Sequence, residues 1–200
     1  MKLILASQSP RRRELLRAAG YEFEVCPPSD EAEDGHQTGE TPEELVVRLS
    51  RQKAADVARR TAEGLVLGCD TVVECGGRIF GKPDDAADAR AILTALSGRE
   101  HHVISGLCLW PVLKQGATAG LSGSVFPMTR TAVTTLRMDL LTPEQLDAYI
   151  AGGEWSGKAG AFGYQDGLDW VHILSGSESN VVGLPLELLA EMLATASGGR

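Results

Sequence analysis

Three consecutive arginines, Arg11 to Arg13, stand where the sequence predicts the first turn of a helix. Ser9 and Pro10 precede them, and this pair is typical of a helix N-cap and the first helical residue. Cations at this positive end of a helix dipole are each disfavoured by about 0.3–1 kcal/mol when exposed. Either the side chains extend into solvent, or an anion binds there through backbone N–H and guanidinium groups. The cluster is therefore a candidate anion site.

Two further charged residues, Lys53 and Asp70, stand in apolar surroundings. Lys53 projects near the middle of the apolar stripe of a predicted helix, where it either extends to solvent or meets a negative charge. Asp70 lies between two apolar runs of a predicted strand, where a buried carboxylate needs a cation partner or a metal ion. Asp70 is a candidate general base or metal ligand, unless it marks the exposed end of the strand.

The acidic segment that follows the second predicted strand contains Asp30, Glu31, Glu33 and Asp34. Such a run is usually a solvated face. The alternative is that one of these carboxylates completes a magnesium site with Asp70, because magnesium prefers carboxylate and phosphate oxygens.

The segment from Gly76 to Pro83 matches the spacing of a P-loop, G-x-x-x-x-G-K. Pro83 stands where a P-loop has Ser or Thr, and proline offers neither a hydroxyl for magnesium nor a backbone N–H for phosphate. We therefore interpret Gly76 and Gly77 as a hairpin turn. Lys82 remains a candidate phosphate ligand, with a geometry that differs from that of a P-loop lysine.

Composition excludes several classes of protein. The chain has 200 residues, 43% of them hydrophobic, and a net charge of −8, which argues against a nucleic-acid backbone binder. Four cysteines without a C-x-x-C pair argue against a zinc site or a disulfide framework. No apolar run approaches the roughly 18 residues of a membrane span, and Leu3 to Ala6 is too short for a signal peptide. We expect a cytoplasmic protein that binds neither nucleic acid nor membrane.

Short apolar runs alternate with helical segments, which predicts a single α/β domain over residues 1–200. Strands are predicted over residues 2–6, 21–26, 65–75, 78–80, 102–110, 129–138 and 170–174. Helices are predicted over residues 10–20, 41–62, 84–96 and 185–196, with one more from Thr142. The remaining long segments, 27–40, 114–124 and 152–167, are predicted to be loops.

Seven short blocks, in one order along the chain, resemble the Maf family. Each block alone is a weak signal, but together they extend from residue 7 to residue 185, nearly the whole chain. The blocks are Ser7–Leu16, Arg48–Ala54, Asp70–Val73, Gly81–Pro83, Leu96–His101, Lys158–Gln165 and Val182–Pro185.

The resemblance implies the Maf/inosine-triphosphatase-like fold, an α/β architecture with a central mixed sheet and a cleft between two lobes. It also implies a nucleoside triphosphate pyrophosphatase, a hydrolase of acid anhydrides that cleaves between the α- and β-phosphates with Mg²⁺ or Mn²⁺. The products would be a nucleoside monophosphate and pyrophosphate.

The resemblance also implies roles for single residues. Asp70 matches the family's proposed proton acceptor. Our own hypothesis adds that Asp70 and Glu31 hold the metal together with phosphate oxygens. Arg11, Thr71 and Gln165 match the positions associated with substrate choice in the branch that acts on dTTP and UTP, whereas the 7-methyl-GTP branch has Trp, Gln and Glu there. Other polar positions of the family's cleft fall on Ser7, Arg12, Glu31, Lys53 and Lys82.

The chain departs from the family pattern at Asp166, which replaces the usual glycine and adds a negative charge beside Gln165. Three alternative functions stay open: a nucleotide-binding regulator of cell division or septum formation without turnover, a 7-methyl-GTP-type pyrophosphatase, and a sugar-phosphate nucleotidyltransferase. The last would need a glycine-rich loop where this chain has Ser9 and Pro10. Modified pyrimidine nucleotides stay open as further substrates. A homodimer stays open too, although no apolar stripe marks an interface for it.

Overall fold

The computed structural model describes residues 1–32, 37, 39–114 and 126–197. Most of the loop predicted at 114–124, together with Glu33 and Asp34, lies outside these residues. The strands are β1 (Leu3–Ala6), β2 (Phe23–Val25), β3 (Gly64–Cys75), β4 (Arg78–Phe80), β5 (Glu100–Val112), β6 (Met128–Met138) and β7 (Val171–Ser175). The helices are α1 (Pro10–Ala18), α2 (Pro42–Ala58), α3 (Ala86–Leu96), α4 (Pro143–Gly152), α5 (Glu178–Val182) and α6 (Leu186–Ala196).

The described strands form a mixed sheet in the order β2-β1-β3-β5-β6-β7, with β4 paired to β3. β1 pairs in parallel with both β2 and β3, whereas β3 with β4 and β6 with β7 are antiparallel. The predicted α/β class with a central mixed sheet flanked by helices is confirmed.

Helix starts follow the predicted capping residues. The Ser9 side chain accepts a hydrogen bond from the Arg12 backbone N–H at the start of α1. Thr41 and Thr142 each form a reciprocal capping box with the residue three positions later, at the starts of α2 and α4. Each such cap satisfies backbone donors that a helix end otherwise leaves without partners.

The described residues divide into two compact units, and each is discontinuous in sequence. The first unit comprises Met1–Asp70, Ser105–Ala132 and Gly183–Arg200, and the second comprises Thr71–Ile104 and Val133–Val182. A single domain over residues 1–200, with a cleft between two lobes, stays a prediction.

In the first unit, side chains of the strands alternate between two apolar clusters, as the period of two in a strand requires. Odd-numbered strand residues such as Leu65 and Leu67 pack with Leu16 of α1 and Leu189 of α6. Even-numbered residues such as Val66 pack instead with residues of α2. Helices therefore cover both faces of this part of the sheet.

The second unit has its own apolar cluster, formed by the end of β3, parts of β5 and β6, and helices α3 and α4. Gly76 and Gly77 both have positive φ and join β3 to the antiparallel β4, which confirms the hairpin and explains the P-loop spacing without a phosphate site. α5, only five residues long, was not predicted. Among the described helices, none is both long and apolar enough to cross a membrane.

Candidate active site

Lys53 of α2 and Asp70 of β3 form a buried ion pair within the first unit. Lys53 Nζ donates to Asp70 Oδ1 over 2.5 Å, and each residue is 8% exposed. Each charge thus has the opposite charge that burial requires. Lys53 does not extend to solvent, and Asp70 does not lie at an exposed strand end.

The alternation along β3 explains why these two residues meet. Asp70 shares its parity with Val66, whose side chain faces α2, and Gly68 lies between them on the same face. A Cβ on Gly68 would lie 2.1 Å from the Ser50 backbone oxygen in α2. Only glycine allows the helix to approach this closely, and this approach places Lys53 beside Asp70.

Arg12, on the first turn of α1, joins the start of this helix to the middle of β3. Arg12 Nη1 donates to the Cys69 backbone oxygen over 2.8 Å and to Ser7 Oγ over 3.3 Å. Arg12 Nε donates to the Gly183 backbone oxygen over 2.8 Å. Ser7 is buried and accepts a further hydrogen bond from the Ser9 backbone N–H. These hydrogen bonds hold the first turn of α1 next to Cys69, the residue before Asp70.

The other two arginines of the cluster lie on the same first turn of α1, and both are half-buried. Arg13 Nε is buried and has no hydrogen-bond partner among the described residues. A buried guanidinium donor of this kind is costly unless an acceptor is supplied. Arg13 thus retains one donor without an acceptor among the described residues.

Glu31 lies in a short 3₁₀ turn beside α2. The adjacent Ser29 donates its backbone N–H and its hydroxyl to Asp56 of α2, and the backbone hydrogen bond lowers the pKa of that carboxyl group. Glu31 and Arg48 line a pocket of about 480 Å³, and Asp70 is not among the described residues that line it. Glu31 is exposed, so its carboxylate is accessible from solvent. Its metal-binding role stays a prediction.

The second unit contains Thr71, Lys82 and Gln165. Thr71 is half-buried on β3, whereas Lys82 and Gln165 are exposed on two separate loops. These loops are joined because the Gly160 backbone N–H donates to the Gly81 oxygen over 2.9 Å. Two blocks that resemble the Maf family are therefore adjacent in this unit.

An ion pair in the loop that carries Gln165 was not predicted from the sequence. Lys158, which is buried, donates to Asp166 Oδ2. The added negative charge at Asp166 is therefore paired and does not stand alone beside Gln165. The sequence offered one signal for this pair, because a lysine and an unusual aspartate occur in the same glycine-rich segment. That segment has no helical or strand period, so the sequence does not show which way the two side chains point.

Comparisons with known proteins agree with the seven blocks. A family model described as Maf-like protein matches residues 2–196. A dTTP/UTP pyrophosphatase of Rhodopirellula baltica is 51% identical over 192 residues, covering 96% of this chain and 80% of that protein. A dTTP/UTP pyrophosphatase of Geotalea uraniireducens is 44% identical over 185 residues, covering 92% of this chain and 89% of that protein.

Among solved structures, a HAM1 protein from Coxiella burnetii is 17% identical, with a TM-score of 0.49 and coverage of 97% of this chain and 98% of that one. The family assignment rests on the sequence matches alone, since they extend over nearly the whole chain at high identity. The chain belongs to the Maf family.

Proposed function

We propose that the protein is a nucleoside triphosphate pyrophosphatase that hydrolyses dTTP and UTP to the nucleoside monophosphate and pyrophosphate. The observation that carries this proposal is the buried Asp70, paired with Lys53, in a chain whose relatives at 51% and 44% identity are named dTTP/UTP pyrophosphatases. Hydrolysis of a phosphoanhydride needs a group that orients and deprotonates water, and a fixed carboxylate can serve as that base.

In the proposed reaction, the substrate triphosphate is bound by cations of a protein whose overall charge is −8. Arg11, Arg12, Lys53 and Lys82 supply positive charge, and Arg11 lies at the positive end of the α1 dipole. Their role is to neutralise charge that develops on the phosphoryl oxygens in the transition state. The backbone N–H groups of the first turn of α1 add uncharged donors.

Asp70 Oδ1 accepts from Lys53, and we propose that Oδ2 accepts the proton of the attacking water. The water oxygen forms a bond to the α-phosphorus while the bond from that phosphorus to the α,β-bridging oxygen breaks. The electron pair leaves with pyrophosphate, and the proton stays on Asp70 until it is released to solvent.

Asp70 and Glu31 are also the residues that we propose hold Mg²⁺ or Mn²⁺. Their carboxylate oxygens are the donors that these cations prefer. No group of three His, Cys, Asp or Glu side chains within the described ranges could hold a metal ion by itself. Two carboxylates are a donor set that suits a cation which completes its coordination with phosphate oxygens and water. When bound, it would stabilise negative charge on the phosphates.

We propose that Gln165 contacts the base, with Arg11 and Thr71 as further determinants of substrate choice. An amide can both donate and accept, which suits the N–H and carbonyl groups of uracil and thymine. We also propose that the enzyme acts in the cytoplasm without nucleic acid as a partner, and that one domain over residues 1–200 carries the activity.

Replacement of Asp70 tests the proposal. Purified wild-type protein with Mg²⁺ should release pyrophosphate, and not single phosphate, from UTP and dTTP. We expect Asp70→Asn to lower the rate by about 10²–10⁴-fold, because the variant lacks the base. Chelation of the metal should also abolish turnover.

Asp169→Asn is the matched control, since Asp169 is exposed and lies outside the proposed site. An Asp70→Asn protein with a near-normal rate would overturn the role of Asp70. Saturable nucleotide binding without turnover in the wild type would favour the regulator, and preference for 7-methyl-GTP would favour the other branch.

A further inference from the structure

Lys158, Tyr149 and Asp166 form a polar cluster that no step of the proposed reaction uses. Lys158 Nζ and the Tyr149 hydroxyl both donate to Asp166 Oδ2, the latter over 3.4 Å. Only 11% of the Lys158 side chain and 19% of the Asp166 side chain are exposed. Asp166 as a whole is exposed, but its carboxylate is largely covered by these contacts, and an ion pair shielded from water is stronger than one on an open surface.

The cluster is anchored to regular structure through Tyr149. The Tyr149 ring on α4 packs edge-on against Trp170, with ring centroids 5.4 Å apart and an interplanar angle of 89°. Burial, reinforced by the Asp166 charge, raises the pKa of the Tyr149 hydroxyl. The hydroxyl therefore remains a donor to Asp166 throughout the neutral range.

Gly163 shows how closely the cluster approaches the Gln165 side chain. A Cβ at Gly163 would lie 2.5 Å from Lys158 Nζ, 2.5 Å from Asp166 Oδ2 and 2.7 Å from Gln165 Nε2. The Gln165 amide nitrogen and both charged groups of the ion pair therefore lie close to the Gly163 Cα. Any side chain at Gly163 would displace all three groups.

The backbone that carries Gln165 is fixed by the same contacts. Gln165 is the middle residue of the 3₁₀ turn Tyr164–Asp166, and the Asp166 backbone N–H donates to the Gly163 oxygen over 3.0 Å. Gln165 itself is exposed, and a long exposed side chain has many rotamers. Holding Asp166 by its carboxylate thus limits the freedom of the residue immediately before it.

We propose that the Lys158–Asp166 ion pair, held by Tyr149, is a positioning device that orients the Gln165 amide and thereby sets discrimination between pyrimidine bases. This inference rests on the proposed function, in which Gln165 contacts the base. Lys158 and Asp166 act through Gln165 and not on the phosphates. Their loss should change which base is accepted more than it changes the chemical step.

The test compares UTP with CTP, which differ at the base edge that an amide reads. In uracil N3 carries a hydrogen and C4 an oxygen, whereas in cytosine N3 is an acceptor and C4 carries an amino group. We expect Asp166→Asn to lower the ratio of kcat/KM for UTP to that for CTP by about tenfold, the equivalent of one hydrogen bond. The change should appear mainly in KM for UTP, with kcat reduced less than about threefold.

Three further variants complete the experiment. Tyr149→Phe keeps the ring and should lower the ratio by about threefold, and Asp166→Glu keeps the charge and should retain most of the wild-type ratio. Asp169→Asn is the matched control and should leave the ratio unchanged. If Asp166→Asn fails to fold by circular dichroism, Tyr149→Phe and Asp166→Glu provide the comparison.

The outcomes separate this inference from the proposed function. A wild type that releases no pyrophosphate from any nucleotide overturns the proposed function and this inference with it. An active wild type whose ratio is unchanged in the folded variants overturns the positioning role alone. An equal fall of kcat on both nucleotides, with an unchanged ratio, also overturns it.

Discussion

At the scale of single residues, Lys53 and Asp70 occupy positions where either charge alone would be unstable. Both are 8% exposed, and their side chains meet over 2.5 Å. Removing one partner of a buried pair is strongly destabilising, whereas removing both charges together is often nearly neutral. The stability of the pair therefore depends on both residues jointly.

We predict that Lys53→Met lowers the free energy of unfolding by about 3–5 kcal/mol, because it leaves the Asp70 charge buried without its partner. The double variant Lys53→Met/Asp70→Asn should recover at least half of that loss. Urea denaturation at neutral pH measures both values. Lys2→Met is the matched control, since its ion pair with Glu24 is exposed and should change stability by less than about 1 kcal/mol. Additive losses in the double variant would contradict the coupling.

The sequence indicated that Lys53 and Asp70 each need an opposite charge, without pairing them, but it did not indicate the pair in the second unit, for a physical reason. Lys53 lies on a helix and Asp70 on a strand, so the periods of 3.6 and two residues indicate which side chains point inward. Lys158 and Asp166 lie in a segment of 3₁₀ turns and left-handed glycines. Without a period, the direction of a side chain depends on tertiary contacts that only the structure shows.

At the scale of elements, helix α2 packs against the sheet at two glycine positions. A Cβ on Gly106 of β5 would lie 2.3 Å from the Val46 backbone oxygen, and a Cβ on Gly68 of β3 would lie 2.1 Å from the Ser50 backbone oxygen. The helix therefore lies directly on the backbone of two strands. This close packing sets the distance from Lys53 to the sheet.

We predict that Gly68→Ala destabilises the protein by at least about 1–3 kcal/mol, because the added methyl group must displace helix backbone. Pyrophosphate release should also fall, since Lys53 and Asp70 would separate. Gly81→Ala provides the control, because a Cβ there meets nothing within 4 Å and the unfolding free energy should change by less than about 0.5 kcal/mol. A Gly68→Ala protein with wild-type stability would show that α2 can move away without cost.

Most helices and strands were predicted because local signals mark them. Capping residues marked the starts of α1, α2 and α4, and apolar runs marked β3 and β5. The order β2-β1-β3-β5-β6-β7 was not predicted, because it depends on pairings between distant segments. α5 was missed because five residues are too few to establish a helical period.

At the scale of the whole molecule, His101 links stability to pH. It is fully buried on β5, its ring packs edge-on against Phe162 at 5.6 Å, and its Nδ1 lies 3.3 Å from the Arg99 backbone oxygen. Burial lowers the pKa of His101 to about 4, against the opposite influence of the Arg99 carbonyl and the nearby Glu74. The folded protein thus keeps this histidine neutral at pH values where an unfolded chain would protonate it.

We predict that the free energy of unfolding falls as pH decreases from about 6.5 towards 4, by roughly 1.4 kcal/mol per pH unit in the middle of this range. The sign follows because the unfolded state binds a proton that the folded state does not. Denaturation of wild type and His101→Leu between pH 5 and 6.5 measures the slope, which the variant should lack. His172→Gln, at an exposed position, should retain it. An equal slope in wild type and His101→Leu would assign the pH dependence to other groups.

The division of the first unit into three segments has a consequence for synthesis on the ribosome. Leu3, Leu5 and Leu16 are translated well before Leu184, Leu188 and Leu189, yet all six belong to one apolar cluster. The second unit has all of its residues once Val182 has been translated. During synthesis the leucines of β1 and α1 therefore lack part of their cluster until residues 184–189 have been translated, and by then every residue of the second unit is already available for folding.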